Sequence, residues 1–201
     1  MRNFDYCKYT YLHRIALKYY IEKNEYLTKE EREELLKRAE VHDMDKMSMY
    51  LHMDKKQASD LHRKTAHHHI KEPSDFYTPT EMDFLESIFD YECAGLTKPD
   101  KPLNAYDTVL KYYPQYQSIY MPLLKRLHMD SSYVAFDDKD LEFINQFEVT
   151  ESDILDAVYK YLNSQEHNIF KDLLLYKYIG SQKQQDVDDL IFGDDYNTSN
   201  K

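Results

Sequence analysis

The run Val41-His42-Asp43-Met44-Asp45-Lys46 sets an imidazole beside a carboxylate, and four more histidines follow at His62, His67, His68 and His69. Nitrogen and oxygen donors of this kind suit borderline divalent cations, so the cluster suggests a bound metal. A helix must position the dyad. Thr28-Lys29-Glu30-Glu31 has the capping-box pattern, in which a hydroxyl and a Glu carboxylate satisfy the free backbone donors of a helix start. It predicts a helix from about Lys29. Leu35, Leu36 and Ala39 fall three and four apart, and continuing their stripe turns His42 and Asp43 toward the core. A carboxylate left unpaired there costs on the order of several kcal/mol. A cation offsets that cost. So does a local cap or salt bridge beside a core histidine, the usual fate of an isolated His-Asp pair.

The remaining histidines need helices of their own. Residues 6–24 read as one, with Leu12, Ile15, Ala16 and Tyr19 on its apolar face and His13 at the border. Residues 53–71, stopped by Pro73, read as another, with Ala58, Leu61, Thr65 and His68 on one side and His62 and His69 on an adjoining stripe. On one continuous helix His62 and His69 would stand roughly 10 Å apart along the axis, too far to share an ion. His67, His68 and His69 would project about 100° apart, so at most two address one pocket, and His68 is the better core candidate. Thr78-Pro79-Thr80-Glu81 opens a helix through Met82, Leu85, Phe89 and Cys93, with Gly95 as its stop. Asp83, Glu86 and Asp90 line one face of it, and acidic stripes of this sort are ordinarily solvated. Further helices are expected over 104–113 (ended by Pro114), over 119–128 and 141–147, and from Thr150 to about residue 179. The Gln-, Asp-, Asn- and Ser-rich segment after Gly180 reads as a disordered tail.

Composition narrows the function classes. The 201 residues, 42% of them hydrophobic, suffice for one domain with a core plus a helical extension, and three glycines with six prolines favour helices over a turn-rich sheet protein. A net charge of −11 disfavours wrapping duplex nucleic acid. Cys7 and Cys93 are too few for a disulfide framework, and no apolar run approaches the roughly 20 residues that span a bilayer. With no signal-peptide core at the N-terminus, cytoplasmic residence is the expectation. The chain has no glycine-rich phosphate loop, nucleophile elbow or internal repeat. Its twenty tyrosines suit core and boundary positions.

An early helical His13, the His42-Asp43 dyad and a later helical Asp90 resemble the ordered H, HD, D series of the HD-domain superfamily. From about Tyr9 to Tyr113 the chain also resembles an HD-like family of unknown function found in bacteria and their phages. That family has a histidine in its first helix, a Leu-His-Asp-x-Ser-Lys motif, paired histidines ending its third helix and an aspartate in its fourth. Here Asp45 stands in place of the serine, and Thr65 or Ala66 in place of an asparagine before the paired histidines.

The resemblance implies an all-α, HD-domain-like helical bundle over residues 1–115, followed by a C-terminal helical extension (116–179) and a tail (180–201). It implies that His13, His42, Asp43 and Asp90 converge on a divalent ion, with His68 as a further ligand and Glu86 as the alternate carboxylate. Mn, Fe, Co, Ni or Zn, as one or two ions, fits such donors. Water on the ion would ionise more readily and a phosphoryl oxygen would be polarised, which points to hydrolysis of a phosphate ester in a nucleotide or other small phosphorylated molecule. Asp43 would bind metal and orient the attacking water. Lys46 would neutralise a phosphate oxygen or pair with Asp43. Of His62 and His69, one would bind a second metal and the other contact substrate phosphate or protonate the leaving group. Two other classes stay open: a di-iron oxygenase, for which extra histidines between dyad and aspartate are expected, and a non-catalytic module whose C-terminal helices engage a protein partner or form a homodimer.

Overall fold

The computed structural model describes residues 3–71, 73–74, 77–97, 104–132 and 137–164. All regular elements among them are helical: α1 (Asn3–Lys23), α2 (Lys29–Ala39), α3 (Met44–Tyr50), α4 (Lys55–Thr65), α5 (Glu81–Thr97), α6 (Ala105–Tyr112), α7 (Gln117–Arg126), α8 (Asp138–Asn145) and α9 (Glu151–Ser164). A single 3-10 turn lies at Pro114–Tyr116, and Ser74 and Tyr77 form an isolated bridge. No described helix is long and apolar enough to cross a membrane. Met1–Leu155 forms one compact unit; of the second, Asp156–Lys201, the described part is the end of α9. Of the helical stretch expected from Thr150 to about residue 179, the part from 165 on, like the tail, lies outside the described residues.

The first unit is organised by α1 lying along α5. Leu17 and Ile21 of α1 and Leu85, Ile88 and Phe89 of α5 are wholly buried, each contributing about 1.5–3 kcal/mol relative to exposure. Tyr120, Leu124 and Leu127 from α7 and its end, and Ile144 from α8, join the same core. The buried hydroxyls of Ser87 and Tyr120 meet at 2.8 Å within it. Arg32 of α2 donates to the carbonyls of Ile21, Glu22 and Asn24, satisfying acceptors that the end of α1 leaves open. Arg126 forks onto both oxygens of Glu31 at 2.9 and 2.7 Å, tying α7 to the start of α2.

Helix starts follow the capping patterns closely. Thr28 and Glu31 form the full reciprocal box before α2. Before α5 the reciprocal pair is Thr80 with Asp83, two residues beyond Thr78 with Glu81, since Thr80 and Asp83 satisfy the same free donors of the helix start. That helix also runs through Gly95 to Thr97 instead of stopping there. The largest departure concerns α4. It ends at Thr65, not near residue 71: the Thr65 hydroxyl bonds back to the carbonyls of Leu61 and His62, and Ala66 turns extended at ψ 136°. His67, His68 and His69 therefore lie in a turn beyond the helix. Tyr77 OH donates to the His67 carbonyl at 3.1 Å and Lys71 Nζ to the Lys64 carbonyl at 2.8 Å, pinning that turn in place.

Candidate metal centre

Four segments converge: α1, the turn between α2 and α3, α4 with the turn after it, and α5. The dyad is buried, but not because α2 continues. That helix ends at Ala39, and residues 40–43 turn the chain, with Arg14 donating to the Glu40 carbonyl and Lys18 pairing with the Glu40 carboxylate. Asp43 then sits in the left-handed region at φ 57°, ψ 10°, a conformation that aspartate tolerates better than most residues. It occupies the N-cap position of α3 yet makes no capping hydrogen bond, so its carboxylate is directed to tertiary partners. Lys46 Nζ donates to Asp43 Oδ2 at 2.8 Å. Of the two roles expected of Lys46, pairing with Asp43 is the one observed.

The other oxygen, Asp43 Oδ1, is the centre of the cluster. His62 Nε2 lies 2.7 Å from it, His68 Nε2 3.4 Å and His42 Nε2 3.8 Å. Close as His62 is, the two groups are not aligned as donor and acceptor. Asp43 Oδ1 and the Nε2 atoms of His42, His62, His68 and His69 are all buried without a hydrogen-bond partner among the described residues. Two ligands held about 2.0–2.2 Å from one ion stand roughly 3–3.5 Å apart, the range these separations straddle. His13, His42 and Asp43 offer ligand atoms all within 4.8 Å of one another, as do His42, His68 and Glu86, and His62, His68 and His69.

The expected 10 Å between His62 and His69 is overturned: their ring centroids are 5.0 Å apart, since the chain folds back after Thr65 instead of carrying His69 two turns onward. Both flank His68, at 5.2 and 4.5 Å. His67 is exposed and packs its ring against Tyr77 at 5.5 Å, outside the cluster.

From α5 the acidic stripe turns inward, contrary to a solvated face. Asp83 pairs with Arg38 at 2.8 Å. Asp90 Oδ1 accepts from His13 Nε2 at 2.7 Å and lies 3.8 Å from His42 Nε2. Glu86 is more than an alternate to Asp90: its Oε1 accepts from His42 Nδ1 at 2.9 Å and lies 3.6 Å from His68 Nδ1, while Arg38 holds Oε2 at 3.3 Å. A carboxylate on the far nitrogen fixes an imidazole's tautomer and aims the near one inward. On α3, Asp45 faces His62, whose Nδ1 donates to its two oxygens at 2.9 and 3.0 Å. Cys93 Sγ stands 3.8 Å from His13 Nδ1. The sequence offers Glu86 as an alternate ligand and Asp45 in the serine's place, but not their pairing with the rings, which arises only where distant segments meet on folding.

The electrostatics call for positive charge. Burial opposes ionisation of His42, but Asp43, Asp90 and Glu86 overcome it and raise its pKa to about 10. His62 rises against burial to about 9 beside Asp43 and Asp45. Burial lowers His13 as well, but the hydrogen bond and charge of Asp90, with Cys93 alongside, raise it to about 10. Asp43 stays well below the usual carboxylate range despite burial, held there by Lys46 and the imidazoles. Burial, aided by His68, pushes His69 down to about 2, and burial with His42 lowers His68. Protonated imidazoles or a divalent cation can meet this demand. The buried His, Asp and Glu groups are thus able to hold a metal ion.

Set against models of known families, curated proteins and solved structures, the chain has no match in any of the three comparisons.

Proposed function

We propose that the chain is a metal-dependent phosphohydrolase of the HD-like kind, cleaving a phosphate ester of a nucleotide or another small phosphorylated molecule. The observation that carries this reading is the set of buried, unpartnered Nε2 atoms of His42, His62 and His68 gathered on Asp43 Oδ1. Buried polar atoms of native proteins are nearly always satisfied, and several unmet ones sharing a focus mark a ligand. His13, His42, Asp43 and Asp90 would hold one ion, and Asp43 with His62 and His68 a second. Mn, Fe, Co, Ni or Zn suits those donors. A divalent ion supplies an acidified water and polarises a phosphoryl oxygen, the two requirements of phosphate-ester hydrolysis.

The chain's own groups prepare that chemistry. Lys46 engages Asp43 Oδ2 and leaves Oδ1 inward. Glu86 holds His42 by Nδ1. His69, half-buried and kept neutral, is the member we assign to substrate, contacting phosphate as a neutral imidazole rather than donating a proton. The nitrogen-rich set His62, His68 and His69 favours a second reading, an iron-dependent oxygenase.

Elemental analysis of the purified protein beside Asp43→Ala and His42→Ala, each verified as folded by circular dichroism, tests the proposal. About one or two transition-metal atoms per chain are expected in the unaltered protein. Both variants should lose them, together with metal-dependent release of phosphate across a panel of phosphate esters. Oxygen consumption by the iron-loaded protein without phosphate release would select the oxygenase. Phosphate release that survives both substitutions removes the mechanism. Failure of the protein to retain any of the five metals favours a binding module on the same scaffold.

A further inference from the structure

We propose that Asp45 is a positioning residue for a metal ligand: by accepting the hydrogen bond of His62 Nδ1–H it fixes that ring with Nε2 directed at Asp43 and at the subsite shared with His68 and His69. The inference rests on the metal-centre reading above and adds a residue which that reading does not require.

Three observations carry it. His62 approaches both Asp45 oxygens almost equally, at 2.9 and 3.0 Å, so the ring is held across the carboxylate and not at one edge of it. Both partners are withdrawn from water, with side-chain exposures of 1% for His62 and 17% for Asp45. The opposite nitrogen of the same ring is the atom 2.7 Å from Asp43 Oδ1 that has no hydrogen-bond partner among the described residues. A carboxylate, an imidazole and a metal in line is the arrangement in which the outer carboxylate sets the tautomer and raises ligand basicity. Asp45 is in the first turn of α3 and His62 near the end of α4, so the contact joins two helices and transmits the placement of Asp43, two residues earlier, to the histidine that shares its ion.

A fastening between α3 and α4 with no bearing on metal would leave metal affinity unmoved, and this separates the two roles. Metal-stripped protein, Asp45→Ala and Asp45→Asn are titrated with Co(II) and followed by calorimetry and visible absorption. The unaltered protein should take up two equivalents. In Asp45→Ala one of them weakens by about 10- to 100-fold while the other holds. Asp45→Asn, whose amide oxygen still accepts from Nδ1–H, should fall between. Nitrogen-15 spectra of Zn(II)-loaded protein should show His62 carrying its proton on Nδ1, with that proton protected from exchange, and the protection lost in Asp45→Ala. Should Asp45→Ala not fold, Asp45→Asn and the His62 spectrum of the unaltered protein decide the matter. Two equivalents bound equally well by the unaltered protein and Asp45→Asn, or a His62 proton on Nε2, overturns the role of Asp45 and leaves the metal centre standing. No uptake of Co(II) by the unaltered protein overturns both.

Discussion

At the C-terminal end of α1 and again at its middle, a carboxylate from a distant segment is buried among polar groups, with opposite outcomes. Near its C-terminus Asp140 of α8 accepts from Tyr19 at 2.9 Å, from Tyr20 at 2.7 Å and from Lys23 at 2.5 and 2.6 Å, and both of its oxygens are used. Lys23 also lies over the Tyr20 ring, 3.8 Å from its centroid. Near His13, Asp43 spends one oxygen on Lys46, and the other faces imidazoles not aligned to bond it. Both clusters are desolvated and both charges are balanced. Only the second leaves directional valence unmet. Burial of polar groups therefore does not identify a ligand site; unsatisfied geometry around a common point does.

The comparison can be broken most forcefully with metal. At a thousandfold excess over its dissociation constant, a bound ion should stabilise the protein by about 4 kcal/mol, read as a rise in thermal midpoint. Asp43→Ala should abolish that rise, and Asp140→Ala should keep it whole. An Asp140→Ala protein that no longer responds to metal would show that the two clusters are one functional unit.

Asp140→Ala should itself cost about 2–3 kcal/mol in urea unfolding, from the lost hydrogen bonds and the unpaired cation, with Lys23 exposed enough to regain some hydration. This term depends on pH. Burial raises the Asp140 pKa, but the bonds from Lys23, Tyr20 and Tyr19 outweigh it and leave the folded value below 3.8. The folded state therefore binds fewer protons than the unfolded state in that range. Its contribution is complete above 3.8 and is lost as pH falls through the lower folded value. The stability difference between the unaltered protein and Asp140→Asn should accordingly stay level down to the ordinary carboxylate range and narrow below it, as measured by urea midpoints at successive pH values.

The smallest effect belongs to the cap of α2. Thr28→Ala removes the acceptor for Glu31 N–H and should cost about 1 kcal/mol in the same unfolding measurement, with metal content unchanged. A loss of metal on this substitution would mean that the dyad depends on the start of α2 as well as on the turn at its end.

Residue patterns reveal much of the scaffold and part of the site. Thr28 with Glu31, Thr150 with Asp153 and Pro114 mark their helix boundaries correctly, since caps and proline act through local backbone geometry. His42 and Asp43 read as buried and are, though the stripe that suggested it stops at Ala39 and a left-handed residue completes the turn. The end of α4 was illegible. Neither glycine nor proline stands at Ala66, and what holds the chain there is Tyr77 and Lys71 from beyond the turn. Asp83, Glu86 and Asp90 carry helical spacing in either a solvated or a buried stripe, and nothing local distinguishes the two.

The sequence by itself determined the helical character of the described residues, the starts of their principal helices and a short list of residues with metal-binding chemistry, because these follow from periodicity, capping and donor type within a few positions. The tertiary structure alone decided that His13 meets Asp90 across 77 positions, that His62 and His68 gather on Asp43 with His69 against their rings, and that Asp45 and Glu86 stand behind the rings. Those pairings depend on how α1 packs on α5 and α3 on α4, interactions between surfaces whose partners no local pattern specifies.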